Sequence, residues 1–221
     1  MKNENRIKKG FDFLAPFYDA GARLLFGTSL LSSQTYFIPQ LGKVKSALIV
    51  GGGTGKILTE LLKHDTAESY CYLDISEKMI EKSKKRVLKI FPKKIHQIAF
   101  ECGSYEKINA GASFDLILTP YILDCLGETE IKEVMTALHK KLSGKGKWLM
   151  VDFNIPVNPG LMPLISTIVT RFLYIPFNII CGLGLRQLPD FSKHFSDLKL
   201  SVWDEKYFLG GMLTAKIYQK Q

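Results

Sequence analysis

Residues 51–55 read Gly51-Gly52-Gly53-Thr54-Gly55, and an acid, Asp74, follows at roughly the 20-residue interval that separates a glycine turn from a ribose-binding carboxylate. Closely spaced glycines let the backbone approach a ligand without Cβ clashes, and a helix starting after them offers unpaired N–H groups to a carboxylate or phosphate. A carboxylate at the end of the next strand can accept both hydroxyls of a ribose. Together, turn and acid predict an adenosine-containing ligand. Two phosphate-binding patterns fail on specific residues. A G-x-G-x-x-G fingerprint anchored on Gly51 and Gly53 needs glycine where Lys56 stands, and a Walker loop needs Ser or Thr where Ile57 follows Lys56. The compact G-x-G-x-G suits a ligand without pyrophosphate, whose amino-acid end lies against the turn.

The surrounding pattern supplies the elements that would hold this site. Residues 46–50 form a short apolar run into the turn, and Ile57, Leu58, Leu61 and Leu62 then recur at helical spacing. Residues 69–73 predict a second strand ending at Asp74, with Ser76 capping a helix that has Glu77 in its first turn. Residues 95–102 and 114–119 predict further strands, 128–142 a helix, 143–146 a turn and 147–152 a fifth strand. The runs 198–207 and 212–218, joined through Leu209-Gly210-Gly211, predict a closing hairpin. The expected fold class is α/β: a mostly parallel seven-stranded sheet with helices on both faces and a C-terminal antiparallel hairpin, in a single domain over 1–221.

Composition limits the alternatives. Hydrophobic residues make up 46% and charged residues 23% of 221, a balance that predicts a packed core rather than a disordered or coiled-coil chain. The net charge of +9 fits a solvated lysine-rich helix face over 78–94, or attraction to an anionic membrane or nucleic acid. Cys71, Cys102, Cys125 and Cys181 lack metal-ligand spacing, so no metal and no disulfide framework are expected, in keeping with a cytoplasmic setting. Lys2, Arg6, Lys8 and Lys9 make the N-terminus basic. Asp12, Pro16 and Asp19 interrupt the apolar residues that follow, which argues against a secretory leader.

These residues resemble the class I S-adenosylmethionine (SAM) methyltransferases, and among them the ubiquinone/menaquinone-biosynthesis C-methyltransferases. The similarity is carried by Phe13-Leu14-Ala15-Pro16-Phe17-Tyr18-Asp19, Gly52-Gly53-Thr54-Gly55, Leu73-Asp74-Ile75-Ser76-Glu77-Lys78-Met79, Phe114-Asp115-Leu116-Ile117 and Leu209-Gly210-Gly211-Met212. The resemblance implies a Rossmann-like class I fold that takes SAM and releases S-adenosylhomocysteine. It also implies that Gly51 to Gly55, Thr54 included, hold the methionine end, Asp74 the ribose, and Ile75, Met79, Gly103 and Ser104 the adenine. Thr119 to Tyr121 would fall below the sulfonium, and Tyr18 would lie over the cofactor on an N-terminal lid within 1–45. Two departures stand out: Ile49 replaces the acid that the family usually carries two residues before the first glycine, and residues 183–190 differ from the family's aromatic segment.

Residues 161–185 carry one charge, Arg171, and are long enough to span a bilayer. A span would put the closing hairpin across the membrane from its sheet, and a central arginine costs about 2.5–3.5 kcal/mol on insertion scales. Pro163 and Pro176 instead predict two short helices within an apolar insert, 155–190, acting as a substrate lid or a homodimer contact. An apolar lid beside a basic surface predicts a small lipophilic acceptor, quinone-like and methylated on carbon or oxygen, with peripheral contact at the inner face of a membrane. A base would help such chemistry. Tyr121, Asp124 and Asp152 stand near the carboxyl ends of the fourth and fifth strands, with His194 a weaker candidate. A phospholipid or small-amine N-methyltransferase needs the same cofactor and is the nearest alternative. A nucleic-acid enzyme is disfavoured because Leu118-Thr119-Pro120-Tyr121 lacks the polar first residue and first proline of its motif. A non-catalytic SAM-binding or membrane-associated protein is the alternative from another class.

Overall fold

The structure is a computed structural model that describes residues 4–157 and 160–220; Lys2, and 158–159 within the apolar insert, lie outside the described residues. Helices α1 (Glu4–Leu14), α2 (Tyr18–Phe26) and α3 (Ser29–Thr35) precede the sheet. Then follow β1 (Val44–Val50), α4 (Lys56–Lys63), β2 (Ala67–Asp74), α5 (Glu77–Ile90), β3 (Ile98–Cys102) and β4 (Phe114–Pro120). Helix α6 (Glu128–Lys141), β5 (Leu142–Phe153), α7 (Met162–Cys181), α8 (Phe191–Asp197), β6 (Leu200–Phe208) and β7 (Leu213–Lys220) complete the chain.

The sheet has seven strands in the order β3-β2-β1-β4-β5-β7-β6, parallel except for β7, which runs antiparallel to β5 and β6. Strand β1 shows why helices cover both faces. Ala47 and Ile49 enter the core beneath α4, while Leu48 and Val50 enter the core beneath α6. Burial on both faces is what a parallel strand in a helix–sheet–helix sandwich requires. Strand order reverses between β1 and β4, so their carboxyl ends diverge into the crevice where α/β sheets bind ligands.

Local structure departs from the sequence reading in three places. Residues 95–97 are not strand: Pro92 fixes a helix-compatible φ, and a 3-10 turn runs Pro92–Gln97 before β3 begins at Ile98. Residues 143–146 belong to β5 as an irregularity, because Phe114 pairs with Leu142 but Leu116 with Lys147. The apolar insert folds as one helix, α7, and not as two. Pro163 sits in its first turn, where the missing N–H has no partner to lose, and Pro176 sits on the exposed side, so the carbonyl it leaves free four residues earlier is not trapped in the core. The end of α7 packs on α1 at Gly10, where a Cβ would lie 2.6 Å from the Cα of Cys181. Helices α1, α2 and α7 thereby roof the crevice.

Candidate functional site

Each half of the glycine turn has a physical reason. Gly51, Gly53 and Gly55 adopt φ of +69°, +61° and +81°, the left-handed region that side chains disfavour. Gly52, between them, is needed for space, since a Cβ there would meet the ring of Tyr72 at 2.4 Å. Tyr72 is fully buried, stands opposite Ile49 in the β1–β2 register, and donates its hydroxyl to the Gly53 carbonyl at 2.9 Å. The ring therefore supports the turn from below beside Ile49, which packs against that arrangement as core. Tyr72→Phe should cost about 1 kcal/mol of unfolding free energy, one hydrogen bond's worth. Ile49→Asp should cost about 3 kcal/mol or more, because it buries a carboxylate with no cation. Denaturant titration of both variants measures the order.

Asp74 ends β2 under the turn and binds it from the other side. Its Oδ2 accepts the Gly53 N–H and its Oδ1 the Ser76 N–H, both at 2.9 Å. Burial pushes its pKa up to about 6, although both N–H bonds favour the ionised form. Each oxygen keeps lone-pair capacity for a further donor.

The N-terminal helices reach this floor through two acids that the sequence reading did not single out as ligands. Asp12 accepts the Ser76 hydroxyl at 2.6 Å and the Lys78 N–H at 3.1 Å, capping α5 from α1. Asp19 accepts the Thr54 hydroxyl at 2.8 Å and pairs with Lys56 at 3.2 Å and Arg86 at 3.0 Å, while Arg86 also donates to the Thr54 carbonyl. The only local signal was an acid on either side of an aromatic, apolar segment.

Two cavities lie between roof and floor. The first, of about 160 Å³, is lined by Gly51, Gly53, Asp74, Ile75, Met79, Gly103, Ser104 and Tyr18, together with Phe11, Tyr105 and Ile122, which the sequence reading passed over, and Leu183, from the segment that departs from the family's aromatic pattern. Gly52, Thr54, Gly55 and Thr119 do not line it. Thr54 turns to Asp19, and Gly55 abuts Ser83. Thr119 is fully buried in β4 and accepts the Trp148 indole N–H at 3.0 Å, a sheet-packing role.

The second cavity, of about 280 Å³, is apolar and lies under α2 and α7, with Phe17, Leu25, Phe26, Phe153, Leu173 and Phe177 in its walls. Tyr18, Tyr121 and Cys125 line both cavities and form the partition between them. Tyr121 follows β4 at φ +54°, a conformation unusual for a side-chain-bearing residue, and shares a 2.6 Å hydrogen bond with Ser33 on α3. Strain of this kind is held only where the surroundings fix it.

Asp124 lines the second cavity, and Asp152, fully buried at the end of β5, accepts the Asp124 backbone N–H at 3.3 Å. Burial raises the pKa of both carboxyls, and the charge on Asp124 raises Asp152 further. No Lys or Arg is hydrogen-bonded or salt-bridged to either among the described residues, so no cation in contact offsets that upward shift. Burial holds Tyr18, Tyr121 and Cys125 protonated beside them. His194 lines neither cavity; it lies in α8, 3.5 Å from Glu128.

Residues 48–147 match the family model of a methyltransferase domain. A polyamine aminopropyltransferase of Pyrobaculum arsenaticum is 29% identical over 118 residues, covering 46% of this chain and 39% of that protein. Among solved structures, the mitomycin 7-O-methyltransferase MmcR superposes with a TM-score of 0.67 at 15% identity, over 96% of this chain and 60% of that one. The N-methyltransferase NodS from Bradyrhizobium japonicum WM9, in complex with S-adenosyl-L-homocysteine, superposes with a TM-score of 0.61 at 14% identity, over 87% and 84%. This chain thus spans less than two thirds of the curated relative and of MmcR. It has the class I methyltransferase fold, and SAM is the cofactor that the matched domain implies.

Proposed function

From the methyltransferase domain over 48–147 we propose that this chain transfers a methyl group from SAM to a small lipophilic acceptor, at an ionisable hydroxyl or activated carbon of a quinone-like ring. The observation that carries this reading is the partition: a cavity floored by glycine turn and carboxylate meets an apolar cavity across Tyr18, Tyr121 and Cys125.

The first cavity fits the cofactor on its own residues. A Cβ at Gly53 would project into open space, so the turn is a cradle, and Asp74 retains acceptor capacity for ribose hydroxyls. Ile75, Met79, Gly103 and Ser104 would hold the adenine. Bound there, SAM supplies an activated methyl group and needs no further activation by the protein. The chain's own tasks are alignment, exclusion of water and removal of a proton. Apolar walls under α2 and α7 orient an aromatic acceptor and keep water out. Asp124, in the same walls, accepts the acceptor's proton in its ionised form, and Asp152 lets the pair share the added proton.

Methylation of a small amine is a second reading, because a buried pair of carboxyls also attracts an ammonium group. Calorimetric titration with SAM, S-adenosylhomocysteine, NADH and ATP tests the cofactor. Micromolar binding of the first two alone is expected, and preference for NADH or ATP overturns the reading. Transfer of labelled methyl to hydroquinone, phenol and amine acceptors then identifies the accepting atom.

A further inference from the structure

Helix α7 is arranged against the logic of a water-facing helix. Its inner side carries Ser166, Thr170, Tyr174 and Cys181, all buried, with the Ser166 and Tyr174 hydroxyls lacking a hydrogen-bond partner. Its outer side carries Leu164, Ile165, Ile168, Phe172, Ile175 and Ile179, with Phe172 and Ile179 each 69% exposed. At about 100° per residue these outer side chains fall in one arc of roughly 100° that runs the length of the helix. A helix of this mean apolarity belongs in a core or in lipid, yet only 22% of the most apolar stretch of α7 is buried. It is long and apolar enough to cross a membrane, but β5 before it and β7 after it are hydrogen-bonded neighbours in one sheet. The surface extends onto α2, where Leu24 is 87% and Leu25 64% exposed, and Leu25 lines the apolar cavity.

We propose that this face of α7 and α2 docks on the surface of an anionic lipid bilayer, lying in the interface without crossing it. Charge selects the occupant. Residues 20–42 and 154–189 contain no Asp or Glu; their charges are Arg23, Arg171 and Arg186, all exposed. Arg171 stands at one edge of the apolar arc, about 20° beyond Leu164. A second copy of the chain would bring no acid from either segment to pair with it, whereas lipid phosphates would. Beyond the end of α7, Arg6 and Lys9 lie beside Ile180 and extend the cationic margin. Docking in this orientation opens the apolar cavity toward the bilayer, so a lipophilic acceptor enters from the membrane without crossing water; that last step, unlike the docking, rests on the function proposed above.

The test is flotation of the full chain with vesicles of phosphatidylcholine alone and of phosphatidylcholine mixed equally with phosphatidylglycerol, at low and high salt. Preferential binding to the anionic vesicles, weakened by salt, is expected. Phe172→Ser/Ile179→Ser should lower affinity about a hundredfold, two large side chains' worth of apolar insertion. Arg171→Glu should lower it at least about fivefold on anionic vesicles and little on neutral ones. Calorimetric binding of S-adenosylhomocysteine reports that each variant is folded, and methyl transfer to a detergent-dissolved acceptor reports separately on the proposed reaction. Absence of vesicle binding overturns the docking whatever the activity. Dimerisation abolished by the serine variant, without vesicle binding, assigns the face to a second copy.

Discussion

Asp124→Asn is expected to lower kcat about a hundred- to ten-thousandfold, the span of general-base contributions, while leaving S-adenosylhomocysteine affinity within about twofold. The reason is positional. Asp124 faces the apolar cavity and not the cavity that Asp74 floors, so its loss removes proton acceptance without touching the cofactor's contacts. Because burial raises the pKa of both Asp124 and Asp152, the wild-type rate should climb with pH through a limb above the usual carboxylate range. The sign follows from the base being active only when ionised. That limb should vanish in Asp124→Asn, and Tyr121→Phe should retain it. An effect confined to KM would transfer Asp124 from proton acceptance to binding of an ammonium group and favour an amine acceptor. An unchanged kcat with every phenolic or enolic acceptor would remove Asp124 from the chemistry.

What the sequence disclosed about this site follows the range of the interactions that build it. The glycine turn was legible because left-handed φ is a property of single residues, and Asp74 because it closes the adjacent strand. Asp12 and Asp19 escaped because their partners lie far along the chain: Ser76 is 64 residues from Asp12, and Thr54 is 35 from Asp19. No periodicity encodes such pairings. Thr119 shows the opposite failure. Resemblance put it beside the cofactor, but its hydroxyl turns to Trp148 inside the sheet and leaves Tyr121, two residues on, at the partition. The single helix α7 was hidden because Pro163 and Pro176 are strong helix punctuation in a sequence, and only their position in the first turn and on the exposed side makes them tolerable. The inverted exposure of that helix is a tertiary property: its composition is apolar whichever face is turned inward.

Asp74→Ala should weaken SAM and S-adenosylhomocysteine binding about a hundredfold or more, since hydrogen bonds to a charged acceptor contribute about 1.5–3 kcal/mol each and a ribose offers two hydroxyls. The same residue should leave a signature in the ligand-free protein. Burial moves its pKa from 3.8 to about 6, a displacement worth on the order of 3 kcal/mol. A carboxyl raised on folding contributes stability that is fully present below the unfolded pKa and lost as pH rises through the folded one. Ligand-free wild type should therefore lose stability between about pH 4 and 7, and Asp74→Ala should show a shallower slope over that window, whatever its absolute stability. Urea titrations across the pH series measure it. An equal slope would mean that Asp74 is more solvated than its position under the turn implies, and a ribose would then gain little from a carboxylate already served by water. A shallower slope with intact cofactor affinity would leave Asp74 as a fastening of the glycine turn and shift ribose recognition to other residues of the cavity. Only the joint loss of affinity and slope identifies a carboxylate kept buried, at a cost to the empty protein, for a ligand that repays it.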